Sequence, residues 1–383
     1  MKSKWITATI DDVCTVVTDG AHNSPKSVEE GHYMASVKDF TEFGFDFSNC
    51  KQIGKEDYEK LRNQGCVPEK NDILVGKDGA RYFEDIIIYK QDERPALLSS
   101  IAILRADSRK ITPEFLYYTL KSPAVRKDVR ENYGSGSAIP RIVLKDFKRM
   151  PFSFPSIEEQ RKITNLCSAI DAKIQVNNAI NENLEQQISA LYESWFENFD
   201  LTNGVCPESW SNQELSTITE ISNGKRPPIK AESFSKETPI PIVGAASVMG
   251  FTSVANHTDK ILVTGRVGTH GIVQRFNAPC WTSDNTLVIK SSYYEFTNQI
   301  LQRIDYSAMN RGSTQPLITQ GDMKKVNILL PDVETLAKFE TFAGTMMNQW
   351  EANKQENVKL ASLRDTLLPK LMSGELDVSD IDL

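Results

Sequence analysis

Two long stretches dominate the apolar pattern of this chain. Apolar residues recur at Ile163, Leu166, Ile170, Ile174, Leu184, Ile188, Leu191 and Trp195, and again at Phe339, Phe342, Met346, Trp350, Leu360, Leu363, Leu367 and Leu371. Alternating steps of three and four put each set on one stripe of a helix, the pattern of a coiled-coil seam. Each stripe follows a start signal, Pro155-Ser156 or Pro331-Asp332. Each helix runs to roughly 40 residues, about 60 Å at 1.5 Å per residue, too long for an ordinary core helix. A stripe that long needs a cover, and the nearest one is the other helix, so the two are expected to pair as an antiparallel coiled coil. Asn177 and Asn181 interrupt the first seam, and Asn353 and Asn357 the second. Either they are buried and set the register at some cost in stability, or they face water where the helices splay. Pro369 should kink or fray the end of the second helix, and Gly374 can cap it.

Outside these stretches the pattern is mixed and punctuated by glycine. Short apolar runs at Asp72–Val75, Ile86–Tyr89, Ser100–Leu104, Lys260–Val263 and Thr286–Ile289 predict strands, while Pro113–Leu120 and Glu295–Ile304 predict helices. The chain also matches itself: the segment from Gly136 aligns without a gap on the segment from Gly312, with Pro140 on Pro316, Asp146 on Asp322 and Pro155 on Pro331, an offset of 176. Upstream, Ile73-Leu74-Val75 falls on Ile261-Leu262-Val263, Gly20 on Gly224 and Trp5 on Trp210, in the same order. A duplicated unit follows. The fold class is therefore α/β (α+β): two globular heads in tandem, residues 1–156 and 200–331, each followed by a long helix, residues 157–199 and 332–383.

Composition narrows the function. The 383 residues carry a net charge of −7, which at first argues against a nucleic-acid partner. Divided along the chain, however, the heads carry +1 each, the first helix −4, and the second helix with its tail −5. The acidity therefore lies wholly on the long helices and the tail. No apolar run approaches the roughly 18 residues of a membrane span, and the N-terminus lacks the apolar core of a secretory signal, so a cytoplasmic location is expected. Six scattered cysteines and four histidines show neither CxxC nor HExxH spacing, which predicts neither a disulfide framework nor a zinc site. No GxxxxGK[ST] phosphate loop is present, and Gly265, Gly268 and Gly271 form GxxGxxG, which close turns explain better than a cofactor phosphate.

Here the residues resemble a known family, the specificity subunits of type I restriction-modification systems. The ending Arg364 to Leu376 (RDTLLPKLMSGEL), the GSxxP stretches at Gly136–Pro140 and Gly312–Pro316, and the openings from Trp5 to Gly20 and from Trp210 to Gly224 carry the resemblance. It implies a non-catalytic reader of double-stranded DNA in which each head is a target recognition domain. The helices would set the distance between half-sites and dock two methyltransferase (modification) subunits, which methylate adenine; restriction subunits would join them. It implies no cofactor in this chain, with S-adenosylmethionine, ATP and magnesium on the partner subunits. No Asn-Pro-Pro-aromatic stretch for holding an adenine occurs in the chain.

Readers of DNA are expected on glycine-punctuated loops, where backbone can approach the duplex. In the first head the candidates are His22, Asn23, Lys38, Lys77, Arg81 and Arg141. In the second they are Lys225, Arg226, Arg266, Thr269, His270 and Arg311. The heads differ in nearly every loop residue, which predicts an asymmetric split target. Two alternatives stand beside this: a scaffold whose coiled coil organises protein partners, and a specificity module of a methyltransferase or nuclease assembly without a restriction subunit.

Overall fold

The computed structural model describes residues 5–79, 81–134, 140–309 and 317–376. The chain divides into two compact units, Met1–Asn178 with Lys354–Leu383, and Ala179–Asn353.

In the first unit the strands are β1 (Ile6–Thr9), β2 (Cys14–Asp19), β3 (His32–Ala35), β4 (Lys51–Ile53), β5 (Ile73–Gly76), β6 (Ile86–Ile88), β7 (Ala96–Leu97), β8 (Ile101–Ala106) and β9 (Pro151–Phe154). The helices of its head are α1 (Ile10–Val13), α2 (Lys55–Asn63), α3 (Pro113–Lys121), α4 (Pro123–Asp128) and α5 (Leu144–Arg149), and α6 (Ile157–Tyr192) follows. An antiparallel sheet runs in the order β2-β8-β5-β6, a second sheet in the order β4-β3-β7 with β3 and β7 parallel, and β1 pairs with β9. The central strands are buried on both faces. Ile73, Val75, Ala102 and Leu104 meet Phe115 and Leu116 of α3, whereas Leu74, Ile87, Ile101 and Ile103 meet Phe45, Tyr89 and Leu97. Two covered faces explain why these strands read as continuous apolar runs instead of alternating ones. Helix α3 starts where Thr112 accepts a hydrogen bond from the Phe115 amide and Pro113 fills the first turn.

The second head repeats this plan. Its strands are β10 (Ser211–Glu214), β11 (Thr219–Asn223), β12 (Ile240–Val243), β13 (Val248–Thr252), β14 (Ile261–Gly265), β15 (Gln274–Phe276), β16 (Trp281–Thr282), β17 (Thr286–Ser291) and β18 (Asn327–Leu330); its helices are α7 (Tyr294–Arg303) and α8 (Gln320–Lys324), followed by α9 (Val333–Met372). The sheet orders are β11-β17-β14-β15 and β13-β12-β16, with β12 and β16 parallel, and β10 pairs with β18. Each strand stands where its counterpart stands in the first head. Duplication is therefore visible in topology as well as in sequence.

The long helices run antiparallel within each unit. In the first, Asp171 pairs with Arg364, and Asn177 donates to Asn357 at 2.8 Å. In the second, Asn353 donates to Asn181 at 2.9 Å, and Asn181 donates to the Trp350 carbonyl at 3.2 Å. Asn177, Asn181 and Asn353 are buried, so these asparagines form the seam and do not face water. Ile163, Ile170, Ile174 and Phe339 are also buried; Leu166, Leu184, Leu191, Met346, Trp350, Leu360 and Leu367 are half-buried.

Two expectations need correction. Phe342 is 54% exposed, because the start of α9 packs on its own head as well as on α6. That turns Leu336, Phe339, Ala343 and Met347 inward, and Phe342 stays at the rim, edge-on to Trp195 with ring centroids 6.0 Å apart. Likewise Leu363 is exposed and Arg364 takes the buried position beside it. Pro369 lies within the last turns of α9, which runs to Met372. The missing proline N–H costs one hydrogen bond in the last turns, and Gly374, at φ +70°, then caps the helix.

Candidate nucleic-acid interface

Three loops converge at one end of each four-stranded sheet, and the two heads build them alike. The first follows β2 or β11. There the Gly20 amide donates to the Ile101 carbonyl (3.1 Å) and Ala21 to Leu97 (2.7 Å); in the second head Gly224 donates to Thr286 (3.0 Å) and Lys225 to Thr282 (2.9 Å). A Cβ at Gly20 would lie 2.2 Å from the Leu97 carbonyl oxygen, and one at Gly224 2.0 Å from that of Ser283. Only glycine lets the chain pass so close, which accounts for Gly20 aligning with Gly224.

The second loop follows β5 or β14. Lys77 donates its amide to the Ser100 carbonyl at 2.8 Å and accepts from the Ile142 amide at 3.0 Å; Arg266 donates to Asn285 at 2.8 Å and accepts from Ile318 at 3.0 Å. Lys77 and Arg266 are thus the same position in the two heads. The third loop follows β3 or β12, where Val37 and Ala245 pack beside Gly76 and Gly265. By this correspondence Lys38, one residue beyond Val37, matches Ala246.

The expected readers are placed unequally. His22 and Asn23 are exposed on a cleft of about 300 Å³ beside Asp19. Lys38 and Arg81 line a neighbouring cleft of about 580 Å³, so two loops distant in sequence are brought together. Arg141 is exposed on a segment that bridges to Asp78. Lys225, Arg226 and Thr269 are exposed, Arg266 and His270 half-buried. Arg311 lies outside the described residues.

Charge is handled differently in the two heads. Lys77, expected as a free loop cation, is 7% exposed. Its ammonium lies 3.3 Å from Asp19 and 3.6 Å from Asp78, and His22 stands 3.4 Å from the other Asp19 oxygen. The reason is local: a buried cation needs a counter-charge, and Asp19 at the end of β2 supplies it. Arg81 pairs with Asp85 at 2.7 Å yet keeps its side chain 76% exposed. In the second head the matching positions are Asn223 and Val267, so Arg266 has no such carboxylates there. The Arg266 Nε and His270 Nε2 have no hydrogen-bond partner among the described residues, while His270 Nδ1 lies 3.2 Å from the Gly265 carbonyl.

Some groups were not legible. The loop of residues 244–247, Gly-Ala-Ala-Ser, is made of small side chains and carries no chemical signal. Lys121, Arg126 and Arg130 sit on α3, on α4 and just beyond α4, and face a cleft that also holds Arg81; in sequence they are merely helix-surface cations. Desolvation pushes the thiols of Cys14 and Cys167 up to about 12 and those of Cys50 and Cys280 up to about 11, which favours their protonated form. Among the described residues no group of three or more His, Cys, Asp or Glu side chains is placed to hold a metal ion, and no helix is long and apolar enough to cross a membrane.

Two heads of one plan, each presenting loops of different chemistry from the same end of its sheet, describe a tandem recognition protein. A family model for the type I restriction modification DNA specificity domain matches residues 2–186 and again residues 207–358. The chain belongs to this family, that of the non-catalytic subunits serving DNA sequence recognition in type I restriction-modification systems. It is 25% identical over 309 residues to the type I restriction enzyme MjaIX specificity subunit of Methanocaldococcus jannaschii, covering 71% of each chain. To the HindI specificity subunit of Haemophilus influenzae it is 20% identical, over 80% of this chain and 87% of that one. The crystal structure of a type I S subunit from M. genitalium superposes with a TM-score of 0.56 at 18% identity, covering 97% of this chain and 96% of that chain, which is a likeness of fold.

Proposed function

We propose that the chain reads an asymmetric bipartite DNA site, one half with residues 1–156 and the other with residues 200–331, while the long helices set the spacing between halves. The observation that carries this is the paired loop geometry: equivalent backbone frames at Gly20 and Gly224, and at Lys77 and Arg266, present unlike side chains. Identical readers would favour a palindrome; unlike readers favour two different half-sites. The contacts to DNA are assigned to His22, Asn23, Lys38, Arg81 and Arg141 in the first head, and to Lys225, Arg226, Arg266, Thr269 and His270 in the second, with Arg311 added from sequence. Lys77 is assigned the support of Asp19 and His22, since its charge is already neutralised. Arginine facing guanine, or asparagine facing adenine, discriminates by roughly 1–3 kcal/mol per base.

The partners are two modification subunits bringing S-adenosylmethionine to methylate adenine at N6, with restriction subunits bringing ATP and magnesium. The near-neutral heads leave much of the phosphate attraction to those subunits. Co-purifying the chain with its modification subunit and mapping methylated adenines in host DNA tests the proposal. Two half-sites at a constant spacing are expected; methylation without a bipartite sequence would overturn it.

A further inference from the structure

A cleft of about 890 Å³ in the first unit lies between the ends of α3 and α4, the loop from Arg81 to Asp85 and the Arg364 turn of α9. Most of its charges are already matched. Asp85 takes Arg81, Glu84 takes both Arg126 and Arg130, Glu131 takes Lys127 at 3.9 Å, and Arg364 lies between Asp171 and Asp365. Lys121 is the exception. Its ammonium donates to the Tyr117 hydroxyl at 2.8 Å and lies 4.9 Å from the centre of the Tyr117 ring, and among the described residues no carboxylate pairs with it. Beside it, the Arg126 Nε–H has no acceptor among the described residues.

A half-buried ammonium without a counter-charge is costly. Burial, and then the charge of Arg364, hold the Lys121 pKa below the ordinary lysine value. An anion entering the cleft removes that penalty and takes up the donors that the protein leaves unspent. We propose that this cleft is a phosphate site, with Lys121 supplying the principal charge and Arg126 a second donor. Phe40, Arg81 and Asp85 line both this cleft and the Lys38 cleft at the candidate reading face, so the two adjoin. Two sources share the chemistry: a backbone phosphate of DNA flanking the first half-site, which rests on the DNA-reading proposal above, and the phosphate of a free nucleotide, which does not. No α4 equivalent occurs among the described residues of the second head, so the proposal concerns the first head.

The test uses the full chain in wild-type, Lys121→Met and Arg126→Gln forms. Calorimetric titration with inorganic pyrophosphate reads free-phosphate binding. The salt dependence of duplex binding, measured on the chain assembled with its modification subunits, reads DNA phosphate contacts. Pyrophosphate binding weakened at least tenfold by Lys121→Met supports the site as a free-phosphate pocket. A log–log salt slope lowered by about one in the variant supports it as a DNA phosphate contact. Pyrophosphate binding absent in wild type together with unchanged duplex slopes overturns it. If Lys121→Met does not fold, Arg126→Gln is read by the same criteria. Wild-type complex that binds no duplex specifically would sink the DNA-reading proposal while leaving the pyrophosphate result to stand or fall alone.

Discussion

Asp171 on α6 and Arg364 on α9 form a buried ion pair, 2.6 Å between Oδ1 and the guanidinium, and the Tyr118 hydroxyl donates to the other Asp171 oxygen at 2.7 Å. One carboxylate thus ties two long helices to α3 of the first head. Both side chains are under a tenth exposed, so the pair has little water to fall back on. Removing one partner leaves a buried charge uncompensated, whereas replacing both with apolar residues of similar volume is often neutral or stabilising. Arg364→Met alone should lose about 3–5 kcal/mol, and Asp171→Leu with Arg364→Met should recover most of it. Urea unfolding of the full chains, followed by tryptophan fluorescence, measures both; additive losses would show that the pair is not coupled.

The asparagine contacts make a related prediction for the second unit. Asn181→Ala strands the buried amide of Asn353 and should cost about 1–3 kcal/mol. Asn181→Leu with Asn353→Leu should be neutral or stabilising by the same unfolding measurement, because neither buried side-chain amide then remains to be left without its partner. The loss of specificity should appear elsewhere: cysteine cross-linking between α6 and α9 is expected to trap more than one register in the double variant and a single one in wild type.

Glu340 on α9 caps α7, accepting from the Phe296 amide at 2.8 Å and the Glu295 amide at 3.2 Å. Burial raises its pKa above the ordinary glutamate value despite these bonds. A carboxyl whose folded pKa is raised binds its proton more tightly when folded, so its ionisation weakens the fold as pH rises from the unfolded value of 4.5 through the folded one. Glu340→Gln should therefore raise the melting temperature at pH 7, and the gain should shrink as pH falls towards 4.5. A gain that is constant with pH would mean that Glu340 titrates normally.

Gly224→Ala puts a Cβ within 2.0 Å of the Ser283 carbonyl oxygen, and the backbone must shift by an amount costing about 1–3 kcal/mol. The candidate reading loop that begins at Lys225 moves with it. In the assembled complex, methylation should lose stringency at the half-site that the proposal assigns to residues 200–331 and keep it at the other. Gly20→Ala should do the converse. Sequencing of methylated sites distinguishes the two; relaxation of both halves by either variant would refute the modular assignment.

Exchange of the exposed cations Lys225 and Arg226 for alanine should weaken duplex binding at low salt and flatten its salt dependence, by about one log–log unit for each DNA phosphate that the variant no longer neutralises. Arg81→Ala should have a smaller effect, because Asp85 already offsets its charge at 2.7 Å. Fluorescence anisotropy of a labelled duplex across a salt series measures both variants.

Much of this architecture is local information and was readable along the chain. The duplication, the central strands of both heads, α3 and α7, and the two long helices follow from periodicity, proline and glycine punctuation and a constant offset, all of which act over a few turns of backbone. Gly20 and Gly224 also emerge from sequence, because a close backbone approach tolerates no other residue. What the tertiary structure alone decided concerns groups whose neighbours are far away in the chain. Lys77 reads as a free loop cation until folding places Asp19 beside it, and Arg364 is buried because Asp171, on another helix, supplies its counter-charge. Phe342 has the spacing of a seam residue, yet the head packed against α9 turns Ala343 inward in its place. The strand order, the shared cleft of Lys38 and Arg81 and the unmatched ammonium of Lys121 were settled in the same way. Charge pairing and desolvation depend on distance in space, and spacing along the chain does not encode that distance.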